Sequence, residues 1–397
     1  MTTSAVPSPP PLSDLLPVLT RWVDTNSASG NPAGLSRMAD HLTEAMRSIP
    51  GCLERIPLDP YTDLNGESHQ PGDALRLRFN EKAPLQVLFS GHMDTVYPAD
   101  GPFQELKVLA DGRLHGPGVT DMKGGLLIMI ESVKAFLQGP LAEELGGEIL
   151  ITADEEVGSA ASYRLLCEAA RRARFGLVFE SALPDGELVR RRKGTGTFKL
   201  TAHGRAAHTG RDFASGRNAA LALSEVLLRC HELNTVVPDA IINVAGVAAP
   251  GPVNVVPAHA EAFLNVRLGK GETGPVVESA IDAIIEANRE RWPDVTITRT
   301  GEFSRPPKRE TPECEQLHEL WNSSALALGL PAADQRDTGG SSDGNIFAAE
   351  GLPHLDGVGI RGGKIHSPEE FAIAESIPER IHIVTLFLQK LAHGKHR

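Results

Sequence analysis

Cysteine is scarce: Cys52, Cys167, Cys230 and Cys314 are the only four in 397 residues, and no two form a C-x-x-C pair. That spacing excludes a cysteine-only zinc cluster and offers no disulfide framework, so reduced, mostly buried thiols in a cytoplasmic protein are expected. Basic residues are in deficit as well, 39 Lys and Arg against 51 Asp and Glu, for a formal net charge of −12. Nucleic-acid phosphates would be repelled, which excludes that partner but leaves room for a locally basic pocket. Long apolar runs are missing. The longest, Leu126 to Ile130 and Ile381 to Leu388, are far too short to span a bilayer, so no membrane partner is expected. Met1 to Pro11 is small, polar and proline-rich, without the charged-then-apolar layout of a signal peptide, and reads as a lead-in.

What remains is an ordinary globular composition, 41% hydrophobic and 23% charged, long enough for two or three domains. Leu12 to Ile49 has a helical pattern broken by a loop from Ser27 to Gly34. Leu85 to Phe89, Glu148 to Thr152 and Phe175 to Phe179 are short apolar runs of the kind that form buried strands. Predicted helices from Asp121 to Gln138 and Tyr163 to Ala173 separate them, which implies an α/β fold with a mostly parallel sheet. Each apolar run ends in polar residues, and that edge of an open α/β sheet is where ligands bind.

The rhythm changes after Arg190. Strand-like segments at Thr197–Ala202, Ile241–Val247, Glu261–Leu268 and Val295–Thr300 alternate with helical ones at Asn218–Leu233 and Val276–Arg291. This β-α-β-β-α-β order is that of a ferredoxin-like module. Arg305-Pro306-Pro307 reads as its exit linker, and helices near Cys314–Leu328 and Ser376–Leu391 follow. The expectation is one discontinuous α/β domain, 1–192 and 306–397, interrupted by a smaller one at 193–305.

Chemistry concentrates at the strand ends. His92 and Asp94 lie two apart after a strand, so both side chains project to one side, and a carboxylate commonly orients a metal-ligating imidazole. Asp121, before an apolar helix, is either a helix cap or a carboxylate able to bridge two cations. Asp154-Glu155-Glu156 places adjacent carboxylates at the end of an apolar run, where cations would relieve their repulsion. Neighbours in extended chain point different ways, so one Glu can ligate while the other serves as a general base. With Glu180 and His366, these are hard-to-borderline donors suited to zinc, manganese or cobalt in a dinuclear site.

The strings SGHMDTV, GPGVTDMKGG, TADEEVGS, HGRAAHTG and GGKIHSPEEF, in that order, resemble the M20 metallopeptidase family, and within it the glutamate carboxypeptidase branch. The resemblance implies a di-zinc peptidase domain carrying an inserted lid that also makes a homodimer. It implies His92 and Glu180 on one zinc, Glu156 and His366 on the other, and Asp121 bridging, with a cis peptide after it. Glu155 would be the general base and Asp94 the carboxylate behind His92. His208 would stabilise the reacting carbonyl oxygen from across the dimer, while Arg267 and Asn254 would bind substrate. Ser181 stands where the family usually has proline, and Asn265 where aspartate is common. The implied reaction is hydrolysis of an amide next to a free carboxylate in a small peptide or N-acyl amino acid, with cobalt or manganese as substitute metals.

Two other readings start from the same residues. Gly340-Ser341-Ser342-Asp343-Gly344 matches G-x-S-x-G, and Asp356 and His366 follow in the order of a serine hydrolase, but Asp334–Gly339 lacks the buried strand this motif needs. A non-catalytic metal-binding protein on the same scaffold would need a missing ligand or base, and every one is present.

Overall fold

The computed structural model describes residues 7–394; the start of the proline-rich lead-in lies outside the described residues. Strands Leu85–His92, Leu145–Thr152, Phe175–Val178 and His354–Asp356 pair in parallel. Ala74–Phe79 and Cys52–Ile56 extend the sheet antiparallel to six strands. The central strands are buried on both faces, which is why they read as unbroken apolar runs. Alternation still sorts their side chains. Val87, Phe89, Ile149 and Ile151 enter a large core with helices Leu12–Val23, Pro32–Met46, Gly124–Leu137, Pro312–Ala327 and Ser376–Ala392. Leu88 and Leu150 face the other way, toward helices Tyr163–Arg172 and Asp343–Ala349.

Residues Gly194–Arg305 hold a separate antiparallel sheet with its own core. Its strands are ordered Ala240–Ala248, His259–Leu268, Gly194–His203, Thr296–Arg305, with helices Ala219–Val236 and Thr273–Arg291 in the two crossovers. In its register Thr195 lies between Arg267 on one side and Arg305 on the other, so the three form one row.

Two departures from the sequence reading bear on function. The helix expected from Asp121 begins at Gly124, because the backbone before it is pulled out of helical geometry at Asp121 (φ −118°, ψ 89°) and Met122 (φ −135°, ψ 35°). A small second sheet joins Lys107–Val108, Arg113–His115, Phe371–Ile373 and Gly362–Gly363, and so brings the His366 segment against the Asp121 segment. Cys167, Cys230 and Cys314 are buried and Cys52 is exposed, in line with the expectation of mostly buried thiols. Among the described residues, no helix is long and apolar enough to cross a membrane.

Candidate active site

His92 closes its strand with its side chain buried. Its Nδ1 lies 3.0 Å from the Asp94 carbonyl oxygen, which can only accept, so Nδ1 donates and Nε2 is left for the site. That Nε2 is 3.2 Å from Asp121 Oδ1 and 3.6 Å from Glu180 Oε1. Asp94 also accepts the backbone N–H groups of Glu155 (3.2 Å) and Glu156 (3.1 Å) and the Ser29 hydroxyl (2.8 Å). Its Oδ1 also lies 3.4 Å from His92 Nδ1, so it orients His92 through carboxylate as well as main chain, and the same carboxylate anchors the turn that carries the two glutamates.

That turn spreads three consecutive acids apart. Asp154 accepts N–H groups from Ala161 (2.9 Å) and Ser162 (3.1 Å) and takes no part in the site. Glu156 Oε2 lies 3.2 Å from His366 Nε2. Glu155 Oε1 lies 2.8 Å from Nη1 of Arg305, at the point where the sequence predicts an exit linker.

Asp121 joins the halves. Its Oδ1 faces His92 and its Oδ2 lies 3.3 Å from His366 Nε2, with a cis peptide to Met122 following it. Glu370 shapes this segment. Completely buried, it accepts the N–H groups of Thr120 (2.7 Å), Asp121 (3.0 Å) and Gly118 (3.0 Å) and the Tyr97 hydroxyl (2.6 Å). Through these amides one carboxylate thus pins the main chain that enters Asp121. Beyond them, Gly125 must be glycine, since a Cβ there would stand 2.0 Å from the Phe179 carbonyl on the strand exit leading to Glu180.

The result is two clusters sharing one carboxylate: His92, Asp121 and Glu180; and Asp121, Glu156 and His366, each with ligand atoms within 4.8 Å of one another. Burial, with Asp121 and Glu155 nearby, pushes the Glu156 carboxyl up to about 7. Burial and Asp121 raise Glu180 well above the usual carboxylate range. His366 is raised to about 10 by its hydrogen bonds to Asp121 and Glu156. The protein's own charges leave this many carboxylates under-compensated, and Glu156 Oε1 is buried without a partner. Imidazole and carboxylate donors so placed suit two borderline divalent cations.

A cavity of about 650 Å³ opens over the clusters and is lined on its far side by residues of the insert. Arg267 lines it, donating to Asn265 Oδ1 (3.2 Å) and Ser341 Oγ (3.4 Å). Among the described residues it has no carboxylate partner, so its charge is open to an anionic ligand. His208 and Asn254 do not line this cavity. They sit together on an exposed part of the insert, where Thr209 donates to the Asn254 carbonyl (3.0 Å). The Ser342, Asp356, His366 arrangement does not form. Ser342 is a buried helix cap accepting from the Gly344 N–H, and Asp356 is held by Arg192 at 2.7 and 2.8 Å.

Residues 88–390 match the model of Peptidase family M20/M25/M40. The chain belongs to this family. It is accordingly a hydrolytic enzyme of the peptidase and amidohydrolase class, as its sequence motifs imply. Carboxypeptidase G2 of Pseudomonas sp. is 23% identical over 388 residues, covering 96% of this chain and 90% of that one. A succinyl-diaminopimelate desuccinylase of Methylorubrum populi is 33% identical over 364 residues, covering 85% and 87%. The fold is shared with the aminopeptidase PepT of Bacillus cereus, at a TM-score of 0.74 and 20% identity over 96% of this chain and 99% of that one.

Within M20, two site residues were beyond the sequence reading. Glu370 stood inside a quoted motif, GGKIHSPEEF, without a role. Arg305 gave no signal beyond its place before two prolines.

Proposed function

We propose that this enzyme is a two-metal amidohydrolase that cleaves an amide beside a free carboxylate, releasing a C-terminal amino acid or deacylating an N-acyl amino acid. The observation that carries this is the Asp121 carboxylate, whose two oxygens face His92 at 3.2 Å and His366 at 3.3 Å. His92 and Glu180 would hold one zinc ion and Glu156 and His366 the other, with Asp121 shared; cobalt or manganese are substitutes of the same donor preference. Bound there, the ions supply Lewis acidity for the scissile carbonyl and make water a better acid.

The chain's own residues do the rest. Glu155 takes a proton from the attacking water and returns one to the leaving amine. Asp94 holds the glutamate turn and the His92 tautomer. Arg267 offers a planar fork to the substrate carboxylate, and the insert acts as a lid that closes the cavity over it.

His208 and Asn254 serve the cavity of a second copy. Their exposure away from their own cavity supports this. So does the apolar surface of the insert, where Leu221, Leu228 and Val236 on one helix and Ile241 and Val247 on an edge strand are exposed. A homodimer is the assembly this reading requires.

A panel of N-acyl amino acids and dipeptides, assayed after chelation and again after adding zinc, cobalt or manganese, tests the proposal. Turnover should vanish on chelation and return with metal. Turnover that survives complete metal removal would refute it.

A further inference from the structure

We propose that Arg305 is a positioning residue that aims Glu155 and makes that aim depend on where the insert sits. This rests on the reading of Glu155 as the base. Arg305 is the last residue of the insert strand Thr296–Arg305, yet it is only 5% exposed, because its side chain reaches into the other domain. Its Nη1 is 2.8 Å from Glu155 Oε1, and its Nη2 donates to the carbonyl oxygen of the same residue at 3.1 Å. One rigid guanidinium therefore holds both ends of Glu155, carboxylate and main chain. A free glutamate side chain has several rotamers, and this grip selects one. One carboxylate oxygen is taken by the cation and the other is left for proton transfer.

The fork is itself seated. Nη2 also lies 3.1 Å from Asp343 Oδ1 and donates to the Ser159 hydroxyl, which in turn donates to Asp343. Asp343 opens the helix Asp343–Ala349, and Asn345 on that helix donates to the carbonyls of Lys193 (3.1 Å) and Pro306 (2.8 Å). These are the two crossings between the insert and the rest of the chain. The Gly-Ser-Ser-Asp-Gly segment that formally matches a nucleophile motif is thus the seat of the hinge. Thr195 brings Arg305 into the same row as Arg267, so the strand row that meets substrate also ends on the base. A shift of the insert that lifts Arg305 from Asp343 releases Glu155 from its rotamer.

The test uses the metal-loaded full-length enzyme and the best substrate of the panel. Arg305→Gln should lower kcat roughly 10–100-fold, the scale expected for a misplaced catalytic group, with KM within about twofold and metal content unchanged. In a Glu155→Gln background the same change should cost nothing further, because Arg305 acts through Glu155. Hydrogen exchange of the metal-free protein gives a readout independent of turnover: amides of residues 155–159 should exchange faster in Arg305→Gln. Arg305→Lys, which keeps the charge without the fork, should recover only part of kcat and covers the case in which the Gln variant does not fold. Wild-type kcat in Arg305→Gln, a full additive loss in the double variant, or a rise in KM alone would overturn the proposal. A fully active Glu155→Gln enzyme would instead overturn the base assignment beneath it.

Discussion

Glu370 holds Asp121 through its main chain: Oε1 accepts the Asp121 N–H at 3.0 Å and the Thr120 N–H at 2.7 Å. A completely buried carboxylate thereby sets the backbone that presents the Asp121 carboxylate shared by the two clusters, and it stands four residues after His366 on the facing segment.

Glu370→Gln keeps the shape but turns an NH2 toward backbone donors, leaving at least one N–H unsatisfied at a cost of about 1–3 kcal/mol. The expected outcome is a folded protein with a lower melting temperature and weakened metal retention, read by elemental analysis after dialysis. Metal content and thermal stability equal to wild type would show that the Asp121 backbone holds its conformation without Glu370.

Glu155 and Glu156 should separate under the same conservative change. Glu155→Gln is expected to keep both metal ions and lose about 10²–10⁴-fold in kcat, the usual contribution of a general base. Glu156→Gln is expected to lose metal occupancy, since on the proposed reading it removes a ligand, one that pairs with His366 at 3.2 Å. Elemental analysis beside kinetics distinguishes them, and the reverse pattern would exchange their roles.

Asn265 keeps Arg267 uncompensated, because an amide oxygen at 3.2 Å accepts from the guanidinium without neutralising it. Asn265→Asp places a carboxylate where substrate would otherwise supply one. KM for carboxylate-bearing substrates should rise about tenfold, corresponding to roughly 1.4 kcal/mol, while amide-capped analogues are unaffected. Equal effects on both substrate classes would remove Arg267 from carboxylate recognition.

His208 should work in trans. Glu155→Gln and His208→Ala subunits, each inactive alone, should regain activity when mixed into heterodimers, because one of the two cavities then has both groups intact. Purified heterodimers that stay inactive would confine His208 to its own chain. Loss of one oxyanion donor typically costs about 10²–10³-fold in kcat, so the His208→Ala parent leaves a clear window for recovery.

Local sequence carried much of this site because its residues sit where a local pattern ends. Strand Leu85–His92 terminates at His92, strand Leu145–Thr152 leads into Glu155 and Glu156, and strand Phe175–Val178 leads to Glu180. An apolar run followed by polar residues is visible without knowing what the chain packs against. Charge and the scarcity of cysteine narrowed the partners and the ligand set in the same way. The tertiary structure decided what depends on distant pairing. Glu370 meets Thr120 across 250 positions and Arg305 meets Glu155 across 150, so neither partnership leaves a local trace. The start of the helix after Asp121 belongs with them: the local pattern favours an earlier start, but the backbone at Asp121 and Met122, entered from a segment pinned by a buried carboxylate far along the chain, lies outside helical φ/ψ.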